Sequence, residues 1–71
     1  MDPYEKLANA VVIRAADDYR SARRKLKRNP RNQLALAEKD EIERFFLSSW
    51  IKVLTKADGG MILRKLKEER L

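Results

Sequence analysis

A chain of 71 residues with no cysteine, no histidine and a formal charge of +6 is one small domain at most. It must be held together without disulfides and without zinc bound by Cys or His. So short a chain buries little apolar surface, which leaves tight helix packing, self-association or both. Charged residues make up 39% of the sequence, yet 44% is hydrophobic and recurs at helical spacing, which argues against disorder.

The polar start, Met1-Asp2-Pro3-Tyr4-Glu5-Lys6, does not read as a secretory signal. Apolar runs such as Val11-Val12-Ile13 and Met61-Ile62-Leu63 are only a few residues long, against the roughly 20 that a membrane span needs. The absence of cysteine fits a reducing compartment. The expected setting is therefore the cytoplasm, with no membrane partner.

Asp2-Pro3 opens the first segment, because aspartate caps helices and proline is tolerated at the first helical position. No breaker follows until Asn29, and the pattern predicts a helix over 3–28. Tyr4, Leu7, Ala8, Val11, Ala15, Tyr19, Ala22 and Leu26 fall on one stripe of it. Two sevenfold rows stand out, Ala8-Ala15-Ala22 and Val12-Tyr19-Leu26. The alanine row lets another helix approach closely, from the same molecule or a second copy.

Asn29-Pro30-Arg31-Asn32 reads as a turn, with proline stopping the first helix and able to start the next. A connection this short favours an antiparallel hairpin. The second segment, roughly 31–57, has a split apolar pattern. One straight helix would put Ile42, Phe45, Phe46 and Val53 on one side and Leu36, Leu47, Ile51 and Leu54 nearly opposite. Either it is sandwiched on two sides or it breaks near Ser48-Ser49, where a serine caps a new start. The pattern leans to the break. Asp58-Gly59-Gly60 then supplies a glycine cap and an aspartate to begin a last helix over 60–71. That helix carries Ile62, Leu63 and Leu66 on one face and basic residues towards its end. Nothing reads as strand. The predicted fold is all-α, an antiparallel helical hairpin with one or two short C-terminal helices, in a single domain over 1–71.

The charge is concentrated. Residues 20–31 hold Arg20, Arg23, Arg24, Lys25, Lys27, Arg28 and Arg31 with no acid, leaving ten basic against eleven acidic residues elsewhere. As a binding site, Arg20, Arg23, Arg24, Lys27, Arg28 and Arg31 would contact phosphates or an acidic protein face. Arginine suits that role because its planar fork pairs both oxygens of a phosphate or carboxylate. As structure, cations favour a helix C-terminus anyway. The hairpin would also bring Glu38, Asp40, Glu41 and Glu43 back across Arg20–Arg24. Both readings stand at this stage, with Arg28 and Arg31 hardest for those acids to reach. No aromatic interleaves the run for base stacking, and no zinc finger is recognisable.

Phe45, Phe46 and Trp50 form the one aromatic cluster. Phe46 and Trp50 are candidate interface residues, although a helix-bundle core is the stronger expectation for the cluster. The apolar content of EIERFFLSSW also raises the odds of a homo-oligomer. The carboxylates at 38–43 match no calcium loop and no Glu-x-x-His pair. Asp58-Gly59-Gly60 lacks the longer glycine pattern of a phosphate loop. Ser48 and Ser49 have no histidine to activate them. No metal, cofactor or catalytic residue is implied, and the chain reads as a binding protein, not an enzyme.

From Asp17 onward, and most clearly in EIERFFLSSWIKVLTKADGGMILRKLKEE, the chain resembles small helical proteins of phages and prophages of Gram-positive bacteria. The resemblance rests on Phe45, Phe46, Ser48, Trp50, Leu54, Thr55, Asp58 and Gly59, followed by an aliphatic–basic helix. Where an acid often follows Phe-Phe-x-Ser in those proteins, Ser49 stands here. The resemblance transfers no activity and no binding residue. It implies a mobile-element setting, in which short basic helical proteins bind nucleic acid or inhibit a host protein. The leading expectation is an accessory protein that modulates a host protein or defence complex through its basic hairpin. A nucleic-acid binder contacting phosphates and an oligomer that sequesters small anionic nucleotides are the alternatives.

Overall fold

The computed structural model describes the backbone from Pro3 and the side chains from Ala8 to Leu71. Expectations for the Asp2 cap and for the side chains of Tyr4 and Leu7 lie outside the described residues. Four helices follow one another: α1 (Pro3–Arg28), α2 (Gln33–Leu47), α3 (Trp50–Leu54) and α4 (Gly59–Glu68), with no strand among the described residues. The fold is the expected small all-α bundle. No described helix is long and apolar enough to cross a membrane.

At about 1.5 Å per residue, α1 runs nearly the whole 41 Å length of the molecule. Tyr19 and Ala22 are fully buried on it, with Val12, Ala15 and Ala16 packed against the same core. The seam follows positions 12, 15, 19 and 22, a three-four alternation that keeps one side of the helix inward. Val11, placed on the stripe from the sequence, is 47% exposed. It lies one position, or about 100°, from Val12 and so falls at the edge of the seam.

The turn is built from asparagine side chains. Asn29 N–H donates to Lys25 O (2.9 Å), extending the α1 ladder, and Asn32 N–H closes the turn on Asn29 O (3.0 Å). The Asn29 side-chain oxygen takes the Arg31 N–H (3.1 Å). Asn32, not Pro30, starts α2: its side chain accepts from Ala35 N–H at 3.1 Å in an N-cap. The chain then returns antiparallel to α1, with Tyr19 meeting Glu43 and Lys25 facing Glu38.

The break at Ser48-Ser49 is present, by a different device from the one expected. Ser48 turns to extended backbone (φ −83°, ψ 165°), and its Oγ donates back to Phe45 O at 2.7 Å. It therefore closes α2, whereas Ser49 makes no side-chain cap to α3. The kink resolves the split pattern, since Phe46 and Ile51 now both point inward at 1% and 2% exposure.

The glycine pair also departs from expectation. Neither glycine has positive φ, so neither supplies a left-handed cap. Asp58 caps α4 by accepting from Gly60 N–H at 2.9 Å. Gly59 is required by proximity: a Cβ there would sit 2.0 Å from Phe46 O and 2.9 Å from Ile51 Cγ2. The start of α4 thus passes directly over the end of α2 and delivers Leu63 and Leu66 to the core of Tyr19, Phe46 and Ile51. Phe45 meets Phe46 edge to face, with ring centroids 5.5 Å apart.

Candidate functional site

The basic run divides by helical face. Arg20, Arg23 and Lys27 recur at three- and four-residue spacing and turn towards the C-terminal segment. Arg20 grips Glu69 with a two-pronged fork, Nε to Oε2 and Nη2 to Oε1, both 2.8 Å, while its Nη1 reaches Asp17 at 2.9 Å. Arg23 Nη1 donates to the carbonyls of Leu66 and Glu69, groups that the end of α4 leaves without helical partners. Lys27 reaches the carbonyl of Leu71. These three cations fasten the tail to α1.

Electrostatics follow the geometry. The bonds to Glu69 hold the Arg20 guanidinium more firmly protonated than usual, outweighing its partial desolvation. Glu69 in turn is held below the usual carboxylate range by the Arg20 fork and by the nearby charges of Arg23 and Arg24. On the other side of α1, Tyr19 Oη donates to Glu43 Oε2 at 2.8 Å, and the same oxygen accepts from Lys39 Nζ at 2.8 Å. Burial, with the bond to Glu43 adding to it, pushes the Tyr19 phenol up. Burial alone would raise the Glu43 carboxyl, but the bonds from Lys39 and Tyr19 outweigh it and hold it low.

Neutralisation by the second helix, one of the two readings of the run, is largely absent among the described residues. Of the acids at 38–43, Glu38 alone reaches the run, and only Lys25, at 3.9 Å. Glu43 serves Tyr19 and Lys39 instead, and the acid that meets Arg20 is Glu69, 49 residues further on. Of the six candidate binding cations, Arg20, Arg23 and Lys27 are thus bonded to the C-terminal segment. Arg24, Arg28 and Arg31 are exposed and make no ion pair among the described residues. They occupy the last turns of α1 and the hairpin tip. Beside them an open groove of about 400 Å3 is lined by Arg23, Lys27, Glu69, Arg70 and Leu71. Asp18, Glu38 and Glu41 lie elsewhere, along a groove between α1 and α2.

The aromatic pair separates as well. Phe46 is 1% exposed and belongs to the core, which removes it as an interface residue. Trp50 is 68% exposed. Leu47 at the end of α2 and Val53 in α3 are 67% and 77% exposed; sequence reasoning placed both in the apolar pattern without assigning either to the surface, because only the kink reveals which residues face outward. No cluster of metal-binding side chains occurs among the described residues. In comparisons with known proteins, no family model, curated protein or solved structure matches the chain.

Proposed function

We propose that this chain is a non-enzymatic binding protein that modulates another protein by docking its arginine-bearing hairpin tip onto an acidic face. The observation that carries this reading is the set of three exposed arginines, Arg24, Arg28 and Arg31, without ion pairs among the described residues where the neighbouring cations of the run are engaged internally. A phage or prophage setting, implied by the sequence resemblance, fits a small accessory protein of this kind acting on a host protein.

A protein face suits the tip better than a nucleic-acid duplex does. The three cations sit on the last turns of α1 and the hairpin tip, few for a phosphate backbone, whose binding grows with the number of phosphates neutralised. Asp18, Glu38 and Glu41 flank the same hairpin, and a long phosphate backbone laid along it would be repelled by them. Arg28 and Arg31 instead offer planar forks to a few carboxylates within a small footprint.

The test compares the wild type with an Arg24→Ala/Arg28→Ala/Arg31→Ala variant. Partner proteins recovered by photo-crosslinking from residue 29 should be lost with the variant. Labelled single- and double-stranded oligonucleotides should show no retention at about 150 mM salt. Oligonucleotide binding that falls steeply with salt and disappears in the variant would replace this reading with a nucleic-acid one. A large thermal stabilisation by a small nucleotide would point to sequestration.

A further inference from the structure

A second exposed surface lies at the far end of α2 from the hairpin tip. The fifteen residues of α2 separate the two by roughly 20 Å. Here Leu47, Trp50 and Val53, all more than 65% exposed, fall within one seven-residue stretch. Trp50 and Val53 share a face of α3 by their three-residue spacing. Leu47 sits beside the start of α4, its Cδ2 3.9 Å from where a Gly60 Cβ would lie. Isolated exposed apolar residues are ordinary, but three large ones on one short stretch mark an interaction surface.

Charge selects the occupant. Residues 44–57, RFFLSSWIKVLTKA, contain Arg44, Lys52 and Lys56 and no acid; the acid that follows, Asp58, lines the same region and accepts the Gly60 N–H as the cap of α4. All three cations are exposed and none makes an ion pair among the described residues. Lys52 and Lys56 form a ridge common to two open grooves. One, of about 550 Å3, runs past Leu47 and Thr55 to Gly60; the other, of about 490 Å3, lies between Val53 and Asn9 of α1. A second copy of the chain meeting this face about a two-fold axis would oppose Arg44, Lys52 and Lys56 to themselves.

From this arrangement we propose that the α3 end is a docking site for an amphipathic acidic segment of another protein. Its apolar side chains would cover Trp50, Val53 and Leu47, and its Asp or Glu residues would reach Lys52, Lys56 and Arg44. The proposal is independent of the one made for the hairpin tip, because the two surfaces share no residue.

The chain's single tryptophan reports directly on this site. Random peptides displayed on phage are selected against the wild type, with a Leu47→Ala/Val53→Ala variant used for counter-selection. The best peptide is then titrated by Trp50 fluorescence. The enriched sequences should be net negative with repeated large apolar residues, and their binding should shift Trp50 emission to the blue. Leu47→Ala/Val53→Ala should weaken binding by about tenfold or more. Lys52→Glu/Lys56→Glu should weaken it by a similar factor, mainly through slower association. The triple alanine variant at Arg24, Arg28 and Arg31 should bind the peptide normally. All substituted positions are exposed, and circular dichroism verifies each fold. Selection of no peptide, or of peptides without acidic bias, overturns the proposal. So does a blue shift produced by protein concentration alone, which assigns the face to a second copy. A shift produced by phosphatidylglycerol vesicles but by no peptide overturns it in favour of a membrane surface.

Discussion

Two adjacent glycines should respond very differently to the same substitution. At Gly59 an added Cβ would stand 2.0 Å from Phe46 O, where ordinary contact begins at 3.4 Å, so a gap of roughly 1.4 Å must open. The obstacle is a backbone carbonyl at the end of α2, which no rotamer change can remove. The start of α4 must lift instead, partly withdrawing Leu63 and Leu66, now 4% and 3% exposed, from the core. Overpacking of this kind costs about 1–3 kcal/mol, and partial loss of two buried leucines adds about 1–2 kcal/mol more. Against this, alanine restricts the unfolded chain and returns about 0.4–1 kcal/mol. Gly59→Ala is therefore expected to lose about 1–4.5 kcal/mol, with a mid-range value of about 3 kcal/mol. At about 4–8 °C per kcal/mol for a domain of this size, a loss of about 3 kcal/mol lowers the midpoint by about 12–24 °C. At Gly60 the added Cβ would meet only Asp58 Oδ1 at 3.3 Å and Leu47 Cδ2 at 3.9 Å, both ends of side chains. Gly60→Ala should stay within about 1 kcal/mol of wild type. Thermal melts followed by circular dichroism at 222 nm decide the matter. Equal melting temperatures for the two variants would refute the close passage of α4 over α2.

Two further outcomes follow from the ion pairs and the buried phenol. Glu43 and Glu69 both have folded-state pKa values below the ordinary 4.5. Their stabilisation is complete above that value and is lost as pH falls through the lowered folded values. The melting temperature should be level from pH 7 to about 5 and decline below, and Glu43→Gln/Glu69→Gln should flatten the decline; an unchanged acid limb would count against the pairing. Tyr19→Phe deletes the bond to Glu43 but leaves that carboxylate its bond from Lys39, so a loss of about 1 kcal/mol is expected from denaturant melts. A neutral result there would show that the Tyr19–Glu43 bond contributes nothing net.

The hairpin could be read in the sequence because its signals are local. Alanine and aromatic rows at sevenfold spacing marked the inner face of α1, and Asn29-Pro30 marked its end. The helix break at Ser48-Ser49 was legible too, because Phe46 and Ile51 cannot share a face on one straight helix. The device behind it was not, since Ser48 closing back onto Phe45 and Ser49 capping forward call for the same residue type. The role of Gly59 was illegible for a related reason: a glycine needed for close approach and one needed for a left-handed turn look alike. At the candidate site, the concentration of charge was evident, but its partition was not. Which arginines meet Glu69 depends on where α4 returns, and that depends on the kink and on Gly59 together.

The fastening of the tail by Arg20, Arg23 and Lys27 has a kinetic side. Its bonds join positions 43 to 49 residues apart, whereas the α1–α2 hairpin closes across a four-residue turn. Nearby segments meet first and distant ones late, so the hairpin should form early and α4 dock last. The same order run backwards describes the least costly partial opening of the native protein, in which α4 detaches while the hairpin persists. Such an opening uncovers Phe46 and at the same moment returns the half-buried Arg20 and Arg23 to solvent, while the exposed Lys27 loses its bond to the tail. The number of positive charges the molecule displays is thus tied to how completely it is folded, and a change in one is a change in the other.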